Sequence, residues 1–247
     1  MEIEILCENT SSDVGYLAEW GFSAYIRFEG TNILFDTGYS DAYVQNAKKK
    51  GIDLEDVNII VLSHYHSDHC RGLQFHSYQS RKQLLCHPEV LEKLPKEQAQ
   101  ALQKSFNLQT SKDPLEFVSD VFYLGEVPRE MSFEKGAFKD DKMRDDSALA
   151  IKMDKGVLVI SGCSHAGICN ICEYAKQVTG LPLYGVIGGF HLFEEDKIAV
   201  EGALSYFHKE QPKHLYPMHC MDFPTLSKFF QHFPIKKYSS GDVIHLN

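Results

Sequence analysis

The 247-residue chain has one tryptophan, no low-complexity tract, no internal repeat and fewer basic than acidic side chains, 25 Lys and Arg against 34 Asp and Glu. Each shortage excludes something. No apolar run approaches the roughly 18 residues that a membrane-spanning helix needs. A formal charge of −9 disfavours general nucleic-acid binding, because phosphate contacts require a basic face. The stretch Met1–Cys7 has neither a basic region nor a long apolar core, so no signal peptide is expected. Seven cysteines (Cys7, Cys70, Cys86, Cys163, Cys169, Cys172, Cys220) are odd in number and scattered. A chain of this length buries roughly 73% of its unfolded surface and needs no staples, so reduced thiols and a cytoplasmic location are expected. With 43% hydrophobic and 24% charged residues, the composition is that of one globular domain rather than of a disordered or fibrous chain.

What is present reads as α/β. Residues 2–7 alternate as a strand with one face buried. Residues 22–28 and 32–36 are two strands joined through Glu29-Gly30-Thr31, a hairpin with a glycine turn. A helix follows Asp36-Thr37-Gly38 and ends near Gly51, with Lys48–Lys50 as a solvated last turn favoured by the helix dipole. The unbroken apolar run 57–62 is expected as a fully buried strand. Residues 88–112 are helical, polar and broken at Pro95, and read as an insertion or lid. Strands at 148–153 and 157–161 precede an alternation of helix 168–178, strand 183–188, helix 197–209, strand 214–217, helix 223–231 and strand 242–246. Strands first and alternating units afterwards imply two mixed sheets in one core with helices outside.

Among twelve histidines, position matters more than number. Directly after the apolar run comes Ser63-His64-Tyr65-His66-Ser67-Asp68-His69, an H-x-H-x-D-H pattern expected by chance roughly 0.002 times per sequence of this composition. Imidazole and carboxylate are donors that a borderline cation such as Zn²⁺ prefers, and a loop at a strand end is rigidly aimed. Four such groups in six residues cannot all reach one ion without strain, so His64 and His66 suit one metal and Asp68 and His69 a second. His165 follows strand 157–161, His191 follows 183–188 and His219 follows 214–217, the strand ends where α/β folds concentrate their sites. His165 and His219 are candidate ligands. His191 is open between ligand, substrate contact and support. His76, His87, His208, His214, His232 and His245 lack this context.

These residues resemble the metallo-β-lactamase superfamily, whose hallmark is the H-x-H-x-D-H loop after a buried strand. Cys7-Glu8-Asn9-Thr10, residues 18–23, Gly162-Cys163-Ser164-His165-Ala166-Gly167, Gly188-Gly189-Phe190-His191-Leu192 and His219-Cys220 resemble the branch that includes dihydropterin ribofuranosylaminobenzene phosphate synthases. The resemblance implies a four-layer αβ/βα sandwich, one or two zinc ions (Mn²⁺ or Fe²⁺ also fitting the donors), and a small, phosphorylated or otherwise anionic substrate. It alone singles out Glu8, Asn9 and Trp20, with Glu8 and Asn9 orienting substrate near the metals, although a plain strand-end turn explains Glu8 and Asn9 equally well. One departure stands out. Superfamily members carry a bridging Asp after the strand equivalent to 157–161 and a His in the preceding turn. Here Cys163 and Arg144-Asp145-Asp146-Ser147 occupy those places. Either Cys163 bridges as a thiolate, or His165 replaces the missing ligand, or Cys163 is a buried hydrophobe. Asp145 and Asp146 are rescuing ligands or, more plainly, an exposed acidic turn. Cys169 and Cys172 form a C-x-x-C spacing inside a helix, and Cys220 adjoins a candidate ligand.

Such a site makes hydroxide at neutral pH, and two ions roughly 3.5–4 Å apart stabilise attacking and leaving oxygens. Asp68 would both bind metal and accept the attacking water's proton, and His191 or a group of the 88–112 segment would contact the leaving group or phosphate. Lactone, thioester or phosphodiester hydrolysis on the same scaffold, or an iron and cysteine redox or sensing protein, are the competing functions.

Overall fold

The computed structural model describes residues 1–246. The chain divides into two compact units, residues 1–111 with the stretch from Tyr238 onward, and Lys112–Lys237. Composition gives no sign of this division, because both crossings fall in short polar connections of ordinary makeup. No helix among the described residues is long and apolar enough to cross a membrane.

The first unit is built on strands β1 (Glu2–Cys7), β2 (Ser23–Phe28), β3 (Thr31–Phe35), β4 (Ile59–Val61), β5 (Gln83–Cys86), β6 (Asn107–Thr110) and, from the far end of the chain, β13 (Val243–His245). The sheet order is β13-β1-β2-β3-β4-β5-β6. The β2–β3 hairpin turns on Glu29 (φ 47°) and Gly30 (φ 80°), the two left-handed residues a tight hairpin requires. From β3 to β6 the strands run parallel, so the ends of β3, β4 and β5 emerge on one edge. All three residues of β4 are buried, which explains the unbroken apolar run.

Helix α1 (Ala42–Lys50) ends at Gly51 in the left-handed conformation, φ 73°, as the C-terminal glycine signal implies. The expectation of a fully solvated Lys48–Lys50 is corrected at Lys50: its ammonium lies 2.9 Å from Glu4 Oε2, with both side chains under 10% exposed. The 88–112 segment, expected as an insertion or lid, carries the connection between two strands of the sheet. Helices α3 (Pro88–Lys93) and α4 (Lys96–Ser105) form the crossover between the parallel strands β5 and β6. A short helix, α2 (Ser67–Cys70), lies in the loop after β4.

The second unit carries β7 (Leu115–Val118), β8 (Val121–Tyr123), β9 (Ala148–Met153), β10 (Gly156–Ser161), β11 (Leu183–Gly189) and β12 (His214–Met218) in the order β12-β11-β10-β9-β8-β7. Strands β10, β11 and β12 are parallel, linked by α5 (Ile168–Thr179) and α6 (Lys197–Glu210), with α7 (Phe223–His232) after β12. Its core joins Val157, Val159 and Val186 of the sheet to Cys169, Cys172, Phe207 and Phe229 of the helices. Asp196 and Asp222 cap α6 and α7 by accepting from Ala199 N and Thr225 N, which fixes where those helices start. Helix α5 has no such residue of its own; its N-cap is Gly167.

Candidate metal centre

In the first unit the donors gather at the carboxyl ends of parallel strands. The ring centroids of His64 lie 4.7 Å from His66 and 4.3 Å from His69. His69 Nε2 is 3.6 Å from Asp68 Oδ2, so these two donors converge. His64 and His69 are fully buried, and the Asp68 side chain keeps 18% of its surface exposed.

The hydrogen bonds beneath this cluster decide its chemistry. Asp36, completely buried at the end of β3, places Oδ2 at 2.7 Å from His69 Nδ1 and 2.6 Å from Ser63 Oγ, while Oδ1 accepts from Ser63 N at 2.7 Å. Ser63 Oγ is also 2.9 Å from His64 Nδ1. A carboxylate only accepts, so the Ser63 hydroxyl proton goes to Asp36 and the Ser63 oxygen accepts from His64 Nδ1–H. His69 Nδ1–H donates to the same carboxylate. In the neutral form that a metal ligand requires, both imidazoles are therefore held as the Nδ1–H tautomer, with the lone pair on Nε2. A carboxylate or hydroxyl behind the imidazole is the arrangement that orients metal-ligating histidines. The donor chemistry fits a divalent cation.

Sequence reading missed Asp36 as part of the site. The available signal was the Asp36-Thr37-Gly38 stop after an apolar strand, but only the β3–β4 pairing reveals what its carboxylate reaches. The 64–69 loop is also docked from below. Thr37 N and Oγ1 donate to His69 O at 2.7 and 3.1 Å, and Gly72 N donates to Gly38 O at 3.0 Å. A Cβ on Gly72 would stand 1.9 Å from Thr37 O. Gly72→Ala is expected to cost roughly 2 kcal/mol through this overlap, measured by chemical denaturation; unchanged stability would mean that the docking is not needed.

Glu8 is buried, and its Oε2 accepts from Thr10 N and Thr10 Oγ1, both at 2.8 Å, closing the turn after β1. Asn9 Oδ1 accepts from Gly21 N at 3.4 Å, and Phe22 N donates to Asp68 O at 3.2 Å. The Trp20-Gly21-Phe22 stretch thus braces the 64–69 loop, and Trp20 is 57% exposed.

In the second unit, β10, β11 and β12 end in the loops that carry Cys163, His165, His191, His219 and Cys220. The His165 and His191 rings are 4.3 Å apart. Cys163, His165 and His219 are buried. Gly189 N donates to Gly162 O at 3.0 Å, and a Cβ on Gly189 would meet Cys220 Sγ at 2.7 Å, so the glycine pair lets these loops approach. Cys220 Sγ donates to Cys163 O and accepts from His191 N, each at 3.2 Å. Ser164 Oγ donates to Gly189 O at 2.6 Å. Ser164 (φ 65°), His191 (φ 49°), His219 (φ 50°) and, in the first unit, Asp36 (φ 54°) all sit in the left-handed region. Each costs about 1 kcal/mol or more there, and such strain clusters where a side chain must be aimed.

The exposed acidic turn expected at Asp145-Asp146 is corrected: both residues are completely buried. Asp146 Oδ2 accepts from Ala166 N at 2.8 Å, so it shapes the loop that bears His165, and burial pushes its carboxyl up to about 7. Cys169 and Cys172 face the core, where burial holds both thiols protonated, an environment opposed to thiolate chemistry. His208 pairs with His232, and His214 bonds Tyr184 and Tyr216. His87 caps α3 by accepting from Glu89 N.

The profile of the metallo-β-lactamase superfamily matches residues 21–174, and the chain belongs to that superfamily. It is 34% identical, over 93% of its length and 94% of the relative's, to an uncharacterized protein of Methanocaldococcus jannaschii. The 7,8-dihydropterin-6-methyl-4-(β-D-ribofuranosyl)-aminobenzene-5′-phosphate synthase of the same organism is 29% identical over 93% of this chain and 90% of that one. Among solved structures, a metal-dependent hydrolase of the β-lactamase superfamily superposes with a TM-score of 0.84 at 26% identity, covering 100% of this chain and 99% of the other. The α/β fold class read from the sequence is the fold of these relatives.

Proposed function

We propose that the chain is a metal-dependent hydrolase in which His64, His66, Asp68, His69, His165 and His219 hold one or two divalent ions, zinc the first choice, and that it acts on a small phosphorylated metabolite. The observation that carries this reading is the buried Asp36 carboxylate, which fixes Nδ1–H on His69 directly and on His64 through Ser63 and so points the lone pairs of two imidazoles outward. The synthase relative supports a phosphorylated substrate, and pterin phosphates are the first class to test. When bound, zinc supplies a water activated near neutral pH and a Lewis acid for the developing oxyanion.

The protein's own groups do the rest. Asp68, partly exposed beside His69, takes the proton of the attacking water. His191, half-buried, contacts the leaving group or phosphate. Asn9 braces the approach to Asp68, and Glu8 acts through the turn it closes. In an acidic protein the metal charge, not the net charge, attracts an anionic substrate. Cys163, which stands where superfamily members carry a carboxylate, would be a further ligand when metal is bound.

Elemental analysis after metal-free purification and zinc loading tests the assignment on wild type and Cys163→Ala together. Two ions per chain falling to one in the variant is the expected result. One ion in both would leave Cys163 as packing and the mechanism with a single Lewis acid. No bound metal would overturn the proposal.

A further inference from the structure

The loop between β8 and β9, residues 124–147, has little regular structure, yet it is tied down more firmly than its sequence suggests. Arg129 is its hub. The guanidinium donates to the carbonyl oxygens of Lys142 at 3.0 Å, Met143 at 2.6 Å and Val127, and its Nε to Gly136 O at 3.4 Å. A second tether runs to α5. Asn170 Oδ1 accepts from Glu130 N and Met131 N, both at 2.8 Å, while Glu134 accepts from Cys169 N and Asn170 N, both at 2.9 Å. Glu134 thereby supplies the N-terminal cap that α5 lacks in its own sequence.

All of this holds a tight turn in place. Phe138 and Asp141 exchange backbone hydrogen bonds of 2.9 and 3.0 Å across Lys139, which is left-handed at φ 52°. The turn delivers Phe138 edge-on to two histidines at once: 5.2 Å and 62° to His165, and 5.9 Å and 90° to His191. Phe193 meets His191 at 5.1 Å and 85°. Edge-to-face contacts of this kind are directional, because the positive rim of one ring meets the face of another.

We propose that the 124–147 loop is a preformed clamp and that Phe138 is a positioning residue, setting the ring orientations of His165 and His191. In the first unit, hydrogen bonds to Nδ1 aim the imidazoles. In the second, an aromatic wedge carried by a pinned loop performs the corresponding task for His165, which follows the left-handed Ser164, and for His191, itself left-handed. This rests on the reading of His165 as a metal ligand, but the wedge itself is testable without metal.

Two readouts on the full chain keep the two ideas separable. The first is zinc affinity by chelator competition, with the visible spectrum of the cobalt-loaded protein alongside. The second is the imidazole nitrogen spectrum of the metal-free protein. Phe138→Ala is expected to weaken zinc binding about tenfold, the combined worth of two such ring contacts. It should alter the cobalt bands, and shift or broaden the His165 and His191 ring signals while leaving those of His64 and His69 in place. Phe138→Tyr, which keeps the ring, should restore all of these. Wild-type zinc affinity together with unchanged His165 and His191 signals in Phe138→Ala would overturn the clamp. If the wild type takes up no metal, the hydrolase reading falls, and the nitrogen spectra alone decide the clamp in the same way. Global unfolding of Phe138→Ala is controlled by Arg129→Lys, which loosens the hub at a distance from the rings; the clamp requires it to move the same two signals.

Discussion

Replacing Asp36 with asparagine is expected to lower zinc affinity between tenfold and a hundredfold. The carboxylate accepts three hydrogen bonds, from Ser63 N, Ser63 Oγ and His69 Nδ1. An amide has one oxygen, and its nitrogen brings protons of its own. Whichever way the amide is turned, one side of the network meets donor against donor. If the amide nitrogen faces His69 and Ser63, His69 must move its proton to Nε2, the atom that the proposed site turns toward the ion. The Ser63 hydroxyl is also released to turn toward His64, which reverses that ring as well. Asp36→Ala removes the acceptor outright and leaves buried donors unpaired, so it should additionally cost about 3 kcal/mol of stability. Chelator competition measures the first effect and denaturant unfolding of the metal-free protein the second. An Asp36→Asn variant with wild-type zinc affinity would show that tautomer control at this position is irrelevant to the metal.

The second large effect is a pH dependence of stability. Burial pushes the Glu134 carboxyl up to about 7 from its ordinary 4.5, against the pull of hydrogen bonds from α5. The folded chain therefore holds a proton on Glu134 across a range where the unfolded chain has released it. The stabilisation this gives is complete below about 4.5 and is lost as pH rises through about 7, a span worth about 3 kcal/mol. Wild type should accordingly lose stability relative to Glu134→Gln between pH 5 and pH 8, by up to that amount, in unfolding curves recorded across the range. Parallel curves for the two proteins would contradict the buried, raised carboxyl. The raised Asp146 carboxyl acts in the same direction in both proteins and cancels in the comparison.

The H-x-H-x-D-H loop was legible because its signal is local. A fully buried strand reads as an unbroken apolar run, and the donors lie within six residues of it. The strand-then-histidine pattern at His165, His191 and His219 was legible for the same reason, since β10, β11 and β12 are each announced by their own apolar stretch. Asp36 was not, because its partner Ser63 lies 27 positions away and only strand pairing brings them together. Asp145 and Asp146 were misjudged because adjacent carboxylates ordinarily signal solvent, whereas here backbone amides of a distant loop receive Asp146. Arg129 escaped notice because its partners are carbonyl oxygens, which every residue possesses and no side-chain pattern encodes. In the 88–112 segment, polar composition suggested an insertion or lid, and the strand that follows its helices was not announced, though Leu84 and Leu108 sit side by side in the ladder.

The discontinuity of the first unit bears on the order in which the protein can form during synthesis. Residues 112–237 are contiguous, so every strand of their sheet has been made before residue 238 is added. The earlier-made strand β1 must wait, because its outer neighbour β13 is paired at Glu2↔His245 and Ile3↔Ile244, near the opposite end of the chain. Until then one edge of β1 is an open template for other nascent chains, the exposure that edge strands are usually guarded against. The turn at Glu8 waits as well, since Ser240 Oγ accepts from Glu8 N at 2.8 Å. A ribosome stalled just before Tyr238 would therefore hold a finished second unit and an incomplete first one, and a nonsense codon there would be felt at the amino-terminal strand rather than in the neighbouring helix.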